Sequence, residues 1–192
     1  MNRVLPLLCL LLCCLLCVPV TAVHAERQTS CVPANIRPSR VWITRALCQH
    51  GRRSATLRRL LTAVGAAPLV VYVEEAGPTP RQWDGRIRFI GRAASWRYVV
   101  IDVSPHASGQ VVAALLAHEL QHALEIDGGR VEDLAAFGRL FARIGFRTGV
   151  TGANAFDTAA AIDAGVDTLR ELTGQEPLMT AHRYRLSVRE RH

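Results

Sequence analysis

Three residues near the middle of the chain have the types and the spacing of a metal site. His118 and His122 are four residues apart, and Glu119 directly follows the first histidine. On a helix, side chains at this spacing lie one turn apart on the same face, so both imidazoles can bind one metal ion. Imidazole nitrogens suit zinc. Glu119 lies about a quarter turn away, where its carboxylate can accept a proton from water without binding the metal.

Between residues 112 and 124, the helix positions opposite the two histidines are all apolar. With His118 at zero and about 100° per residue, this back face spans about 120° to 240° and comprises Val112, Ala113, Leu116, Leu120, Ala123 and Leu124. A helix with such a face is buried, and burying two imidazoles and a carboxylate without a partner costs free energy. We therefore interpret His118 and His122 as metal ligands and Glu119 as a catalytic base, rather than as two core histidines and an exposed glutamate.

The sequence leaves the third ligand open among three carboxylates. We favour Asp157, because a ligand from a different helix can approach the ion on the side that the two histidines leave free. Glu125 lies on the same strip of helix as the histidines, but three ligands on one straight helix cannot easily surround a tetrahedral ion. Glu125 is equally suited to orienting His122. Asp133 follows the glycine pair 128–129 and ranks third.

Residues 115–124, Leu-Leu-Ala-His-Glu-Leu-Gln-His-Ala-Leu, resemble the active-site helix of zincin metallopeptidases. They are similar to the corresponding helix of small exported bacterial zincin-like proteins. The resemblance implies a Zn²⁺ ion bound by His118, His122 and one carboxylate, with Glu119 as the general base of peptide hydrolysis. It also implies that a strand before this helix forms the sheet edge that holds an extended substrate, and residues 98–103 are in the right place for that role.

The chain departs from the patterns of two zincin groups. Glu125 stands where metzincins have a glycine, and Gly128 stands where they have their third histidine. The Glu-x-x-x-Asp pattern of gluzincins does not follow at the usual place. The Asp157-Thr158 pair resembles a Glu-Thr pair of related small zincin-like sequences, although the glycine-threonine signature of aspzincins is missing.

Around this motif, hydrophobic periodicity and turn residues predict an α+β domain. The predicted elements are a helix capped by Ser54, strands at 69–73, 86–90 and 98–103, a helix from Ser108 to about Asp127, a helix at 131–144, and a helix that begins near 154–157 and ends at Gly174. We expect a short, mostly antiparallel sheet that packs against the active-site helix and two further helices. Residues 26–40 are predicted to be an irregular arm.

The composition limits the classes of function. The 192 residues are 49% hydrophobic, and the net charge is +7. This is enough apolar material for one folded domain, which spans residues 26–192 in our interpretation. All 23 basic residues are arginines, scattered among 16 acidic residues. The clustered basic stripe of a nucleic-acid-binding protein is missing from the sequence, so we expect no nucleic-acid partner.

Residues 1–25 have the features of a signal peptide. Arg3 precedes an apolar stretch at 4–20, and residues 23–25 are small enough for cleavage after Ala25, with cleavage after Ala22 as the alternative. The stretch is too short and too interrupted for a membrane-spanning helix. Its cysteines lack the preceding glycine or alanine of a lipoprotein signal. We therefore expect a periplasmic or secreted protein without a stable membrane anchor.

Cleavage would leave two of the six cysteines, Cys31 and Cys48. Two cysteines in an exported chain predict a disulfide. Together these features indicate an exported zinc metallopeptidase that acts on a peptide or protein. The alternative is a non-catalytic zinc-binding or scaffold protein that retains the zincin helix, because a domain of this length has little room for a deep substrate groove.

Overall fold

The structure is a computed structural model, and it describes residues 31–77, 85–107, 109–147 and 156–174. These residues form eleven elements. In chain order they are β1 (Ile36–Pro38), α1 (Val41–Arg53), α2 (Ala55–Ala66), β2 (Leu69–Glu75), β3 (Gly85–Ala93), β4 (Trp96–Val103), α3 (Gly109–Gly128), α4 (Leu134–Ile144), β5 (Phe146–Arg147), β6 (Phe156–Asp157) and α5 (Ala159–Thr173). The predicted signal peptide lies outside the described residues.

The first four strands form one mixed sheet in the order β1-β2-β4-β3. β1 pairs with β2 and β2 pairs with β4 in parallel, and only β3 and β4 pair antiparallel. The α+β class is confirmed, whereas the expectation of a mostly antiparallel sheet is wrong. The helices α1 and α2 connect β1 to β2, and such a crossover returns the chain in the same direction. β3 turns back on the outer side of β4, which leaves β4 beside β2.

β4 is therefore an interior strand. The resemblance implied that residues 98–103 form the edge that faces a substrate, and this placement is wrong. The edge strand on this side of the sheet is β3. The residues of β3 and β4 do not reveal which of the two is the edge strand. An edge is defined by which strands pair, not by the residues of one strand.

The predicted elements that carry strong local signals are confirmed with small changes of boundary. Ser54 caps α2 by accepting a hydrogen bond from the Leu57 amide. Asp133 caps α4 in the same way, so this helix begins at Leu134 rather than at 131. The sequence analysis missed α1, whose N-cap residue Arg40 makes no side-chain capping bond and whose first turn has no acidic residue. It also missed β1, a three-residue strand inside the predicted arm.

α3 lies at the centre of the packing. It contacts β2, β3 and β4 of the sheet, and it also packs along α5. Five of the six apolar residues predicted for its back face are buried, and only Leu124 is partly exposed. Alternate residues of β2 and β4, among them Val71 and Ile101, meet this face in the core. The helix that carries the motif is thus fixed on several sides.

The predicted disulfide between Cys31 and Cys48 is present, and it links the segment before β1 to α1. Every helix in the described part of the chain is too short or too polar to span a bilayer.

Candidate metal centre

Two histidines of α3 and one aspartate of β6 lie close together. The Asp157 Oδ1 atom is 3.2 Å from His118 Nε2 and 3.5 Å from His122 Nε2. One donor atom from each side chain lies within 4.8 Å of the other two. In a tetrahedral zinc site with bonds of about 2.0–2.1 Å, neighbouring donors are about 3.3–3.4 Å apart. The two imidazoles and the carboxylate therefore have the atom types and the spacing that fit a zinc ion.

A pair of two-residue strands brings Asp157 to this position. β5 and β6 pair antiparallel, with Phe146 opposite Asp157. Gly145 precedes β5, and a Cβ atom there would lie 2.6 Å from the Asp157 carbonyl oxygen and 2.8 Å from that of Phe141. Such contacts are too short for any residue with a side chain. Glycine at this position therefore allows the backbone of Asp157 to approach the end of α4.

On the other side of the site, α5 packs closely against α3, the helix that carries both histidines. A Cβ atom at Gly165 of α5 would lie 3.2 Å from the Ala114 carbonyl oxygen and 3.5 Å from the His118 Cβ atom. Ala161 and Ala164 of α5 are buried as well. These small residues let the two helices approach each other, so the start of α5 lies near the histidines of α3.

Glu125 orients His122 instead of joining the group of three donors. Its Oε2 atom lies 2.8 Å from His122 Nδ1, and its Oε1 atom accepts a 2.7 Å hydrogen bond from the Thr158 hydroxyl. When His122 Nδ1 carries the proton in this contact, the Nε2 lone pair is free to bind a metal. Of the two roles that the sequence allowed for Glu125, the geometry favours orientation of His122.

Glu119 is a buried carboxylate beside the donors. The residue is only 4% exposed, and its Oε2 atom has no hydrogen-bond partner among the described residues. Its Oε1 atom faces the first residue of β3, since a Cβ atom on Gly85 would lie 3.1 Å from it. Burial raises the pKa of Glu119, and the nearby His118 and His122 offset only part of this effect. A carboxylate of this kind can both accept and release a proton.

The pKa values of the donors show which charge the site favours. Burial alone would lower the pKa of His122, but its contacts with Asp157 and Glu125 raise it to about 9. Burial alone would raise the pKa of Asp157, but hydrogen bonds with His118 and His122 bring it below its ordinary value. The carboxylates thus favour positive charge at the point between the two imidazoles. A metal cation would supply that charge.

A row of aromatic rings runs from β3 to the site. The His122 ring meets Phe141 of α4 edge-on at 5.2 Å between ring centres, and Phe141 lies 4.9 Å from Phe137. Phe137 in turn stacks on Phe89 of β3 at 6.3 Å. Edge-on contacts of this kind hold a ring in one orientation. Phe141 of α4 therefore restricts the rotation of the His122 ring, in addition to the contact with Glu125.

The third carboxylate candidate lies elsewhere. Asp133 is exposed, and its side chain accepts a hydrogen bond from the Ala136 amide at the start of α4. The neighbouring Glu132 pairs with Arg92 at the surface. Both acidic residues thus have structural partners, and neither belongs to the group of donor atoms around His118.

Sequence reasoning missed Gly145, and it named Thr158 only as part of a resemblance, without giving it a role in the site. Their signals were weak, because a glycine after a helix and a threonine before one are common in helix termini. Only the approach of β6 to α4 gives Gly145 its role.

Comparison of the chain with protein-family models, with curated proteins and with solved structures finds no match. The function is therefore inferred from the side chains of the site itself.

Proposed function

We propose that this protein is an exported zinc-dependent hydrolase of zincin type that cleaves peptide bonds. The observation that carries the proposal is the group of His118, His122 and Asp157 donors, with the buried carboxylate of Glu119 on the same helix turn as the first histidine. The resemblance of residues 115–124 to the zincin helix supports the same conclusion.

The zinc ion would be held by His118, His122 and Asp157. Three protein ligands leave one tetrahedral position for a water or substrate, which is the pattern of catalytic rather than structural zinc sites. When bound, the ion supplies a Lewis acid that polarises the scissile carbonyl group and lowers the pKa of water. Glu125 keeps His122 in the orientation and tautomer that this binding requires.

Glu119 is the proposed general base. Its carboxylate would accept a proton from the attacking water and then deliver that proton to the nitrogen of the leaving amine. The raised pKa of Glu119 suits both steps, because the group must hold the proton after the first step and release it in the second. The Oε2 atom is buried and makes no internal hydrogen bond in the described structure, so it would accept a hydrogen bond from a water molecule held inside the site.

The free edge of β3 supports an extended peptide as the substrate. β3 pairs with β4 on one side only, and its other edge has no strand partner within the described ranges. Its first residue, Gly85, lies against Glu119. A peptide that adds to this edge as a further strand would form main-chain hydrogen bonds and pass close to the base. We assign to β3 the role that the sequence suggested for residues 98–103.

The decisive experiment separates metal binding from catalysis. Glu119→Gln should keep zinc bound, because this side chain is not among the three donors and the amide nearly preserves its size. The same change should reduce peptide hydrolysis by about 10²- to 10⁴-fold, because an amide cannot accept the proton. His118→Ala and His122→Ala should lose the metal. The measurements are zinc content after dialysis and the cleavage of a broad peptide library.

Two results would contradict the proposal in different ways. A folded wild-type protein that binds no zinc would exclude the metal site. Stoichiometric zinc without any cleavage would favour the alternative, a non-catalytic zinc-binding or scaffold protein that retains the zincin helix.

Export is part of the proposal. The disulfide between Cys31 and Cys48 supports an oxidising compartment, because such bonds rarely persist in the cytosol. Intact-mass measurement of protein taken from the cell envelope or the medium tests the predicted start at Glu26. A retained cysteine with a lipid attached would contradict the absence of an anchor.

A further inference from the structure

We propose that Thr158 is a positioning residue that holds two zinc ligands at once, Asp157 directly and His122 through Glu125. The inference rests on the zinc site proposed above. It goes beyond that site because it assigns a role to a residue that contacts none of the reacting atoms.

The first contact of Thr158 fixes the orientation of Asp157. The Thr158 backbone N–H donates a 2.7 Å hydrogen bond to Asp157 Oδ1. This is the same oxygen that faces both histidines, at 3.2 Å from His118 Nε2 and 3.5 Å from His122 Nε2. Because the oxygen is held from behind by the backbone, its remaining lone pair points towards the two imidazoles.

The second contact acts on His122 through one intermediate group. The Thr158 hydroxyl donates a 2.7 Å hydrogen bond to Glu125 Oε1, and Glu125 Oε2 lies 2.8 Å from His122 Nδ1. Both oxygens of Glu125 are thereby engaged, so the carboxylate cannot rotate without losing a partner. The hydroxyl of Thr158 thus determines where Glu125 can hold the imidazole.

The same hydroxyl also connects α5 to α3. Thr158 is the N-cap of α5 and accepts a 3.2 Å hydrogen bond from the Ala161 amide, while its proton goes to Glu125. Thr158 is buried, so neither bond competes with bulk water. Aspartate is an equally good N-cap, but its ionised side chain has no proton to donate and would repel Glu125. A hydroxyl residue meets both requirements.

Three single variants test this role through zinc affinity, measured by competition with a chelator. Thr158→Val removes the hydroxyl with little change of shape and should weaken zinc binding by about 10- to 100-fold. Thr158→Ser should restore binding to within a few-fold of wild type. Asp133→Ala is the matched control, because it removes an N-cap of the same kind from α4, away from the site, and should leave zinc affinity unchanged.

A double-mutant cycle separates positioning from simple loss of the cap. If Thr158 acts on His122 through Glu125, the effect of Thr158→Val on zinc affinity should shrink in a Glu125→Ala background. A cap that only stabilises α5 would give the same effect in both backgrounds. The absorption spectrum of bound Co²⁺ provides a second readout, because displacement of either ligand changes the coordination geometry of the ion.

If Thr158→Val fails to fold, Glu125→Gln tests the same connection without altering the cap of α5. With the Thr158 hydroxyl donating to its amide oxygen, the glutamine turns its NH2 group towards His122 Nδ1, which favours the tautomer with the proton on Nε2 and should weaken zinc binding at least tenfold. Additive effects in the cycle, or full zinc affinity in Thr158→Val or in Glu125→Gln, would overturn the inference while the zinc site itself stands. A wild-type protein without zinc would instead overturn the proposed function.

Discussion

The three carboxylates that compete for the third ligand position have different surroundings. Asp157 faces both histidines, Glu125 is engaged by Thr158 and by the outer nitrogen of His122, and Asp133 caps a helix. We expect Asp157→Ala to lower zinc affinity by more than the roughly 10- to 100-fold typical of losing a group that only orients a ligand. Glu125→Ala should fall within that range, and Asp133→Ala should have no effect.

Zinc affinities of the purified variants decide this order. Circular dichroism spectra would establish that each variant is folded. Loss of all zinc in Glu125→Ala, with zinc retained in Asp157→Ala, would show that α3 alone supplies the ligands.

Gly145 provides a second test at the residue scale. Because a Cβ atom there meets the backbone of Asp157 and Phe141, Gly145→Ala should lower the free energy of unfolding by about 1–3 kcal/mol and weaken zinc binding. Gly138 lies in the exposed face of α4, where a Cβ atom would have no neighbour within 4 Å. Gly138→Ala should therefore stabilise the protein by about 0.5–1 kcal/mol and leave zinc affinity unchanged. Urea unfolding measures the change in the free energy of unfolding for each of the two variants. Equal changes would contradict the packing argument.

At the scale of elements, a buried carboxylate of β4 stabilises the pairing of β3 with β4. The Asp102 Oδ2 atom accepts hydrogen bonds of 2.8 Å from Arg86 Nε and from Arg88 Nε. The cost of burying Asp102 would raise its pKa, but the two guanidinium groups outweigh that cost and bring the pKa below its ordinary value. This attachment matters for the site, since β3 also carries Gly85 against Glu119.

We expect Asp102→Asn to lower the free energy of unfolding by about 1–2 kcal/mol near neutral pH, because a charged acceptor is lost while both arginines stay partly solvated. A carboxyl group whose pKa is lower in the folded state stabilises the fold above its unfolded pKa, and that stabilisation is lost as the pH falls through the folded pKa. The difference between wild type and variant should therefore stay constant from about pH 7 to about pH 5 and shrink progressively below about pH 4.

Urea midpoints at several pH values provide the measurement. Glu132→Gln is the control, because Glu132 pairs with Arg92 at the surface and should contribute less than about 1 kcal/mol. A difference between wild type and Asp102→Asn that stays constant with pH would contradict the role of the charge.

On the scale of the whole molecule, the disulfide ties the segment before β1 to the helical layer. It joins residues 17 positions apart. Replacing Cys31 and Cys48 by serine should lower the free energy of unfolding by roughly 3 kcal/mol, because the unfolded chain regains the freedom of that loop. Alkylation without reduction should label neither cysteine. Two labelled thiols in protein from an oxidising compartment would contradict this prediction.

The sequence by itself determined the features that depend on local spacing. The four-residue interval of His118 and His122, the neighbouring Glu119 and the apolar back face of α3 follow from helix geometry alone. Runs of β-branched residues predicted β2 and β4, and Ser54 predicted the start of α2. The disulfide between Cys31 and Cys48 could also be predicted, because only one pairing of cysteines is available after the predicted cleavage.

Only the tertiary structure decided the features that depend on residues distant in sequence. The edge position of β3 follows from strand order, and the proximity of Asp157 to the histidines follows from the β5–β6 pair and from the packing of α5 along α3. Sequence reasoning preferred Asp157 among three carboxylates but could not place it, because α3 and β6 are separated by another helix. Spacing along one helix fixes the angle between two side chains around the helix axis. Contact between side chains of different elements depends instead on how the whole chain packs.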